Sequence, residues 1–448
     1  MGSGRGQLKR VQTKSAAGSS VVGRPTTLEE RLQKKTFYAN DGKKFVVFGA
    51  GLVDEKTIEQ MRGAMNSEVV RLGSLQADGH YGYSAPIGAV LGMDNAVSPV
   101  SVGYDQACGM RAAQLNVQFS EIKDDLASYL HEMQRVIPIG LGKTHEKPID
   151  HEIFNRPEWD EEPLASMETR DGGLFEDFCR KVLGSAGAGN HFYSIVEAED
   201  GTAWSLIHFG SRSPGYKLAE YFIALADKEQ PEVAKTTGLT WLTMESDAGQ
   251  AYWQMHQFAR DFAYAGRDHV GAKMAEILGT TEKFVVHNHH NHAEIEEHEG
   301  QKLYVHRKGA TPANVDEWGI IPGSMGDSSY VVQGLGNEES LRSSSHGAGR
   351  VMSRNAAHGK WDKKKGDWRI APRVTRGAMD AWLKKEGVIV LGGDLDESPH
   401  VYKRIDEVMG AQTELVKAIV KLSPRGVVMA PPDRRKAKMR GGGKPLNA

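Results

Sequence analysis

Four histidines fall within six positions in the run FVVHNHHNH, residues 284–292. They are His287, His289, His290 and His292, directly after a strand-like apolar stretch. No apolar core stores so many imidazoles cheaply, so the run points to metal binding. Side chains alternate along a strand, so the four cannot all face one ion. A second run, SVGYDQACGMR (101–111), places Asp105 and Cys108 three residues apart in a Gly-flanked turn. A thiolate is a soft ligand and a carboxylate a hard one, and a transition-metal site can use both. The alternative for Cys108 is a packed thiol beside a polar turn.

Three further segments combine histidine with small or cationic residues. In GSAGAGNHF (184–192), small residues allow a backbone to approach a phosphate, and Asn190 and His191 follow directly. The Lys-Ser/Thr ending of a P-loop is missing. In WSLIHFGSR (204–212), an apolar strand ends at His208, and a Gly-Ser-Arg turn offers amides and Arg212 to a phosphate. The longest segment runs through HRKGATP (306–312) and PGSMGDSSY (322–330) to SHGAGRVMSR (345–354). Hydroxyls, small residues and cations alternate there, as a nucleotide-phosphate site requires. His346 stands between a serine run and a Gly-Ala-Gly turn, a placement that suits an exposed, reactive imidazole or a packed, capping one. Together these pieces describe imidazole, thiol and carboxylate ligands beside a phosphate cradle. Softness favours zinc, and phosphate chemistry with a carboxylate is compatible with manganese.

The elements that must position these residues are mixed. Apolar runs at 44–48 and 388–391 predict buried strands, and the spacing at 54–72 and 122–136 predicts amphipathic helices. Residues 241–278 read as one long helical region without an internal proline, and 144–173 as a charged, proline-interrupted loop or insertion. The expected organisation is one α+β domain over 26–432, a Gly/Ser/basic disordered arm over 1–25 and a basic flexible tail over 433–448.

Composition narrows the class. The chain has 448 residues, 39% hydrophobic and 25% charged, as in a globular protein. Two cysteines exclude a disulfide framework. A net charge of −2 means that any nucleic-acid contact needs a local basic patch. No apolar run approaches the roughly 18 residues of a membrane span, and the first residues lack a signal-peptide core. A cytoplasmic location without membrane association is the expectation.

Taken in order, GYDQACGMR, GAGNHF, HFGSR, HHN, HRKGATPA, PGSMG and SHGAGRVMSR resemble the motifs of RtcB-type RNA ligases. Asp78-Gly-His80 with the following PIGAV, and DESPHVYK (396–403), also look like family segments, so the resemblance covers roughly 40–410. It implies a single large α+β domain with mixed sheets around a dinuclear metal site. The implied activity joins RNA ends bearing a 3′-phosphate or a 2′,3′-cyclic phosphate to 5′-hydroxyl ends, with GTP and two Mn²⁺ ions. His346 would take up GMP, with Asp78 a further catalytic candidate. Cys108 would bridge the ions, with His208 and His290 completing one site and Asp105 and His191 the other. His290 is chosen because His289-His290-Asn291 fits the family's His-His-Asn pattern. Asn190, Ser324, Ser329, Gly349 and Tyr402 would hold the nucleotide, and Arg212, Arg350 and Arg354 would meet RNA phosphates. RtcB-type enzymes can also need an activating protein.

Two departures from the family pattern concern the base. Ser194 stands where the family usually has Glu, and the chain ends in PPDRRKAKMRGGGKPLNA where the family closes on Lys-Gly. GTP and ATP are therefore both open as donors. Two other readings use the same residues: a binuclear metallophosphoesterase acting on cyclic-phosphate ends, which has no need of a nucleophilic His346, and a non-catalytic RNA-end-binding protein, which would tolerate damaged ligand positions.

Overall fold

A computed structural model describes residues 27–362 and 367–432. The arm expected over 1–25 and the tail expected over 433–448 lie outside the described residues.

Two sheets build the framework. One has six strands in the order Lys35–Tyr38, Lys44–Val47, Val70–His80, Ile87–Met93, Gln301–Lys308 and Asn291–His298. The other is eight-stranded; its main path runs Glu282–His289, Gly109–Gln118, Thr202–Phe209, Phe192–Ala198, Val416–Met429, Ser329–Gly334 and Trp318–Ile321, and Ile389–Leu391 pairs in parallel with Val416–Met429. This second sheet curls back on itself. The Ile320 N–H donates to Asn288 Oδ1 at 3.1 Å, and the Phe284 and Trp318 rings meet edge to face at 5.0 Å. Its concave side is filled by Met110, Val196, Leu206, Val286, Val331 and Leu422.

At one of its passages between the sheets the chain crosses within a single residue. Strand Glu282–His289 belongs to the large sheet and Asn291–His298 to the smaller one, with His290 between them. The His290 N–H donates to the Cys108 carbonyl at 2.8 Å, and the His290 carbonyl accepts from the Gly309 N–H at 2.7 Å. Gly109 makes this crossing possible, because a Cβ there would stand 2.1 Å from the Asn288 carbonyl oxygen.

The long helix is Asp247–Ile277. Ser246 caps it by accepting from the Gly249 N–H, so it starts later than the sequence spacing predicts. Leu242–Thr243 instead forms a short strand against Ala96–Val97. The helix predicted over 54–72 is likewise shortened. It spans Glu55–Met65 and stops at Asn66, and Val70–His80 is a strand. Val69, Val70 and Leu72 extend the helical spacing, but Val69 and Val70 are buried by the six-stranded sheet and its core instead. The helix predicted over 122–136 is Leu126–Val136, preceded by the separate turn Phe119–Ile122. Residues 144–173 lack long elements, as expected, yet they are anchored. Ile153, Phe154, Trp159 and Leu164 bury themselves against Phe258 and Phe262 of the long helix. Mixed sheets with helices packed on them in one domain make the fold α+β.

Candidate functional site: a histidine-thiol cluster beside a hydroxyl-lined cleft

Each expected metal ligand sits at the end of a strand or in the turn beside one. His208 is near the end of Thr202–Phe209, Cys108 directly precedes Gly109–Gln118, His191 directly precedes Phe192–Ala198, and His290 is the inter-sheet residue. Strand register brings them together: Gly109 faces Phe209, Phe192 faces His208, and Gly109 faces His289. Cys108 Sγ lies 3.3 Å from His208 Nε2 and 3.6 Å from His191 Nε2. His208 Nε2 lies 3.3 Å from His290 Nε2, and His191 Nε2 lies 2.8 Å from Asp105 Oδ2.

These spacings fit metal binding. Donor atoms about 2.0–2.3 Å from one ion stand roughly 3–3.7 Å apart. Two overlapping donor sets result, Asp105/Cys108/His191 and Cys108/His208/His290, each within 4.8 Å and sharing the thiol. The His208 ring is already oriented. Its Nδ1 faces the Asn190 carbonyl at 3.0 Å, which leaves Nε2 for a ligand.

The electrostatics agree. Burial, and then His191, hold His208 down at about 3, and burial holds His290 well below its ordinary 6.5, so both rings are neutral and able to ligate. Burial raises the Asp105 carboxyl, but His191 and Arg212 outweigh it and bring it to about 2. Burial and Asp105 push the Cys108 thiol well up, so a cation is what would convert it to thiolate.

A cleft opens beside the cluster. His208 and His346 both line it, and the His290 and His346 rings approach to 4.9 Å. Its walls also carry Asn190, Ser324, Ser329, Gly349, Arg350, Arg354 and Tyr402, so with His208 and His346 nine sequence-predicted residues share one cavity. Its other end is apolar, with Phe192, Val196, Leu206, Val427 and Met429 around Ser194. Arg212 does not line the cleft. It stands beside Asp105 and Cys108 at the start of helix Arg212–Glu229, with φ 55°.

Asp78 organises the His346 loop. It is fully buried, and its Oδ2 accepts from the N–H groups of His346 at 3.0 Å and Gly347 at 3.3 Å. The same oxygen lies 2.6 Å from His346 Nδ1. Burial raises the Asp78 carboxyl, and His346 and Lys403 more than reverse this, leaving it below its ordinary value. Gly349, at φ 69°, is required here, since a Cβ would stand 2.1 Å from the Asp78 carbonyl oxygen.

Several supporting residues escape sequence reasoning. Arg267 of the long helix is fully buried and donates to the Ala107 carbonyl at 3.0 Å and the Phe209 carbonyl at 2.6 Å, one on each side of the cluster. Its Nε donates to His287 Nε2 at 2.7 Å, so His287 faces Arg267 rather than the cluster. Asn291 donates to the Asp105 carbonyl at 3.1 Å. Asp396 and Glu397 hold Arg354 at 2.7 and 2.6 Å, and Tyr402 donates to Glu397. The DESPHVYK segment was the available signal for this last group. Nothing in the spacing around Arg267 singles it out.

Comparison with known proteins gives one consistent family. The family model described as tRNA-splicing ligase RtcB matches residues 60–430. RNA-splicing ligase RtcB of Escherichia coli is 33% identical over 370 residues, covering 78% of this chain and 88% of that protein. tRNA-splicing ligase RtcB of Nanoarchaeum equitans is 30% identical over 452 residues, covering 84% and 92%. RNA-splicing ligase RtcB of Mycobacterium tuberculosis is 29% identical over 441 residues, covering 80% and 97%.

Proposed function

This chain belongs to the RtcB family of RNA ligases, and from that premise we propose that it joins RNA ends carrying a 3′-phosphate or 2′,3′-cyclic phosphate to 5′-hydroxyl ends through a nucleotidylated His346. GTP is the proposed nucleotide donor. The observation that carries the reading is the placement of His346. It is oriented by Asp78 at 2.6 Å, lines a hydroxyl-rich cleft and lies against a ring of the histidine-thiol cluster.

The chain's own groups divide the work. Asp78 faces Nδ1 of His346, so Nε2 is the attacking atom. Nε2 forms a bond to the α-phosphorus of the nucleotide, and diphosphate leaves. An oxygen of the RNA 3′-phosphate then takes the nucleotidyl group, freeing His346 and leaving a phosphoanhydride. The 5′-hydroxyl oxygen of the second RNA attacks the former 3′-phosphate, its proton is lost, and the nucleoside monophosphate leaves as the phosphodiester forms. A cyclic end first adds water to become a 3′-phosphate.

Two Mn²⁺ ions, one held by Asp105, Cys108 and His191 and the other by Cys108, His208 and His290, would neutralise charge on the phosphates during transfer. Asn190, Ser324, Ser329, Gly349 and Tyr402 hold the nucleotide along the cleft wall. Arg350 and Arg354 present guanidinium groups to phosphates on that wall, and Arg212 does so beside Asp105. The apolar end with Ser194 receives the base.

The test is ligation. Two labelled RNAs, one ending in a 3′-phosphate and one beginning with a 5′-hydroxyl, are incubated with Mn²⁺ and each of the four nucleoside triphosphates. Joined product with GTP supports the whole reading. Joined product with ATP alone keeps the mechanism and reassigns the donor. Opening of cyclic ends without joining replaces the ligase reading with a phosphoesterase.

A further inference from the structure

The corner that carries His290 has a second face. His290 and Asn291 turn toward the Cys108 cluster, whereas His289, His292 and Glu294 turn toward the long helix. His289 Nε2 lies 3.3 Å from Glu294 Oε1, and donor atoms from His289, His292 and Glu294 all lie within 4.8 Å of one another. His289 is 5% exposed and His292 is not exposed at all. Among the described residues, both ring nitrogens of His292 and Nδ1 of His289 find no hydrogen-bond partner.

Native proteins rarely bury ring nitrogens unpaired, because each costs about 1–3 kcal/mol of lost solvation. The neighbours do not remedy it. His256 stacks on His292 at 4.0 Å, but its Nδ1 faces Gln106 Oε1 at 2.7 Å and its Nε2 accepts from the Ala293 N–H at 2.9 Å. Arg307 takes the other oxygen of Glu294 at 3.0 Å and is answered by Glu296 at 2.6 Å, which leaves Glu294 Oε1 toward the histidines. Glu294 keeps 33% side-chain exposure, enough to open the group to solvent on one side.

We propose that His289, His292 and Glu294 form a third metal site, separate from the ligase centre, that holds one zinc ion. Two imidazoles and a carboxylate suit zinc, with water as a fourth ligand, and the 3.3 Å spacing of His289 and Glu294 is that of two donors on one tetrahedral ion. The site spans the junction of the two sheets. His289 ends a strand of the large sheet, and His292 and Glu294 lie in the smaller one. The ion therefore clamps the corner whose middle residue, His290, reaches the Cys108 cluster. This inference goes beyond the ligase reading and does not depend on it.

The experiment is metal counting on the full-length protein. It is stripped with chelator, dialysed against Zn²⁺ and analysed by elemental mass spectrometry. The wild type is expected to hold one zinc equivalent more than His292→Ala. A Cys108→Ser/His208→Ala double variant, which disables the ligase centre, is expected to keep an equivalent that is lost when His292→Ala is added. Loaded with Co²⁺, the double variant should show ligand-field bands without the thiolate charge-transfer band that Cys108 would give. Glu294→Gln is the milder variant if His292→Ala does not fold, and it should weaken binding at this site by at least about tenfold. Equal zinc content in the wild type and in both His292→Ala and Glu294→Gln, or no zinc retained by the double variant, overturns the proposal.

Discussion

The strand Asn291–His298 has histidines at both ends, and they live in opposite surroundings. At its head, His290 and His292 are buried among other imidazoles, and burial drives both well below the ordinary 6.5. At its tail, burial pulls His298 down, but Glu296 at 2.8 Å and Glu338 at 2.9 Å reverse that and raise it. Burial alone does not decide what a histidine does. Among neutral rings and a thiol the neutral, ligating form is favoured, and between two carboxylates the protonated form is favoured.

The largest expected effect separates holding from reacting at the head. His346→Ala should lower ligation on the order of 10³-fold or more while leaving the metal content of the Cys108 cluster unchanged. Loss of both together would mean that His346 belongs to the metal site itself. Next is Arg267→Met, which strands the Ala107 and Phe209 carbonyls that the guanidinium now satisfies. A loss of about 3 kcal/mol is expected in denaturant unfolding, accompanied by weaker metal retention. An unchanged midpoint would show that Arg267 is not what holds the two strands in place.

Asp78→Asn should be milder, slowing nucleotidylation by about 10–100-fold, because an amide can still accept from the His346 and Gly347 N–H groups. The asparagine variant should also show a shifted pH–rate profile, a change that simple loosening of the loop would not produce. The smallest effect lies at the tail. His298 is raised above 6.5 in the folded protein, so its contribution is fully present below pH 6.5 and is lost as pH rises through the folded value. His298→Gln should therefore destabilise by roughly 1 kcal/mol at pH 5.5–6, and the gap in melting temperature should close toward pH 8. A gap that widens with pH would contradict the assignment.

The same contrast marks what the sequence could reveal. The clustering of His191, His208 and His290 with Cys108 was legible because these residues sit at strand ends, where spacing and composition both speak. Strand alternation also anticipated that the four histidines of 287–292 would divide. The structure sends His290 to the cluster, His287 to Arg267, and His289 and His292 to the far face. Boundaries were less legible. The helical spacing of 54–72 hid a strand, because Val70 fits either period and only its partners in the sheet decide. Charge and prolines made 144–173 read as a loop, yet Trp159 stacks on Phe154 at 5.5 Å and both are buried. Arg267 works through contacts 160 and 58 residues distant in the chain, and Glu397 through one about forty residues distant, which no local pattern encodes.

The most direct measurement maps the covalent adduct. The protein is incubated with GTP and Mn²⁺ without RNA, digested under alkaline conditions that spare a phosphoramidate, and its peptides are sequenced by mass spectrometry. One GMP on His346 is expected, absent from His346→Ala and displaced by RNA bearing a 3′-phosphate. A GMP on another residue, or RNA joining with no covalent nucleotide at any stage, would contradict it.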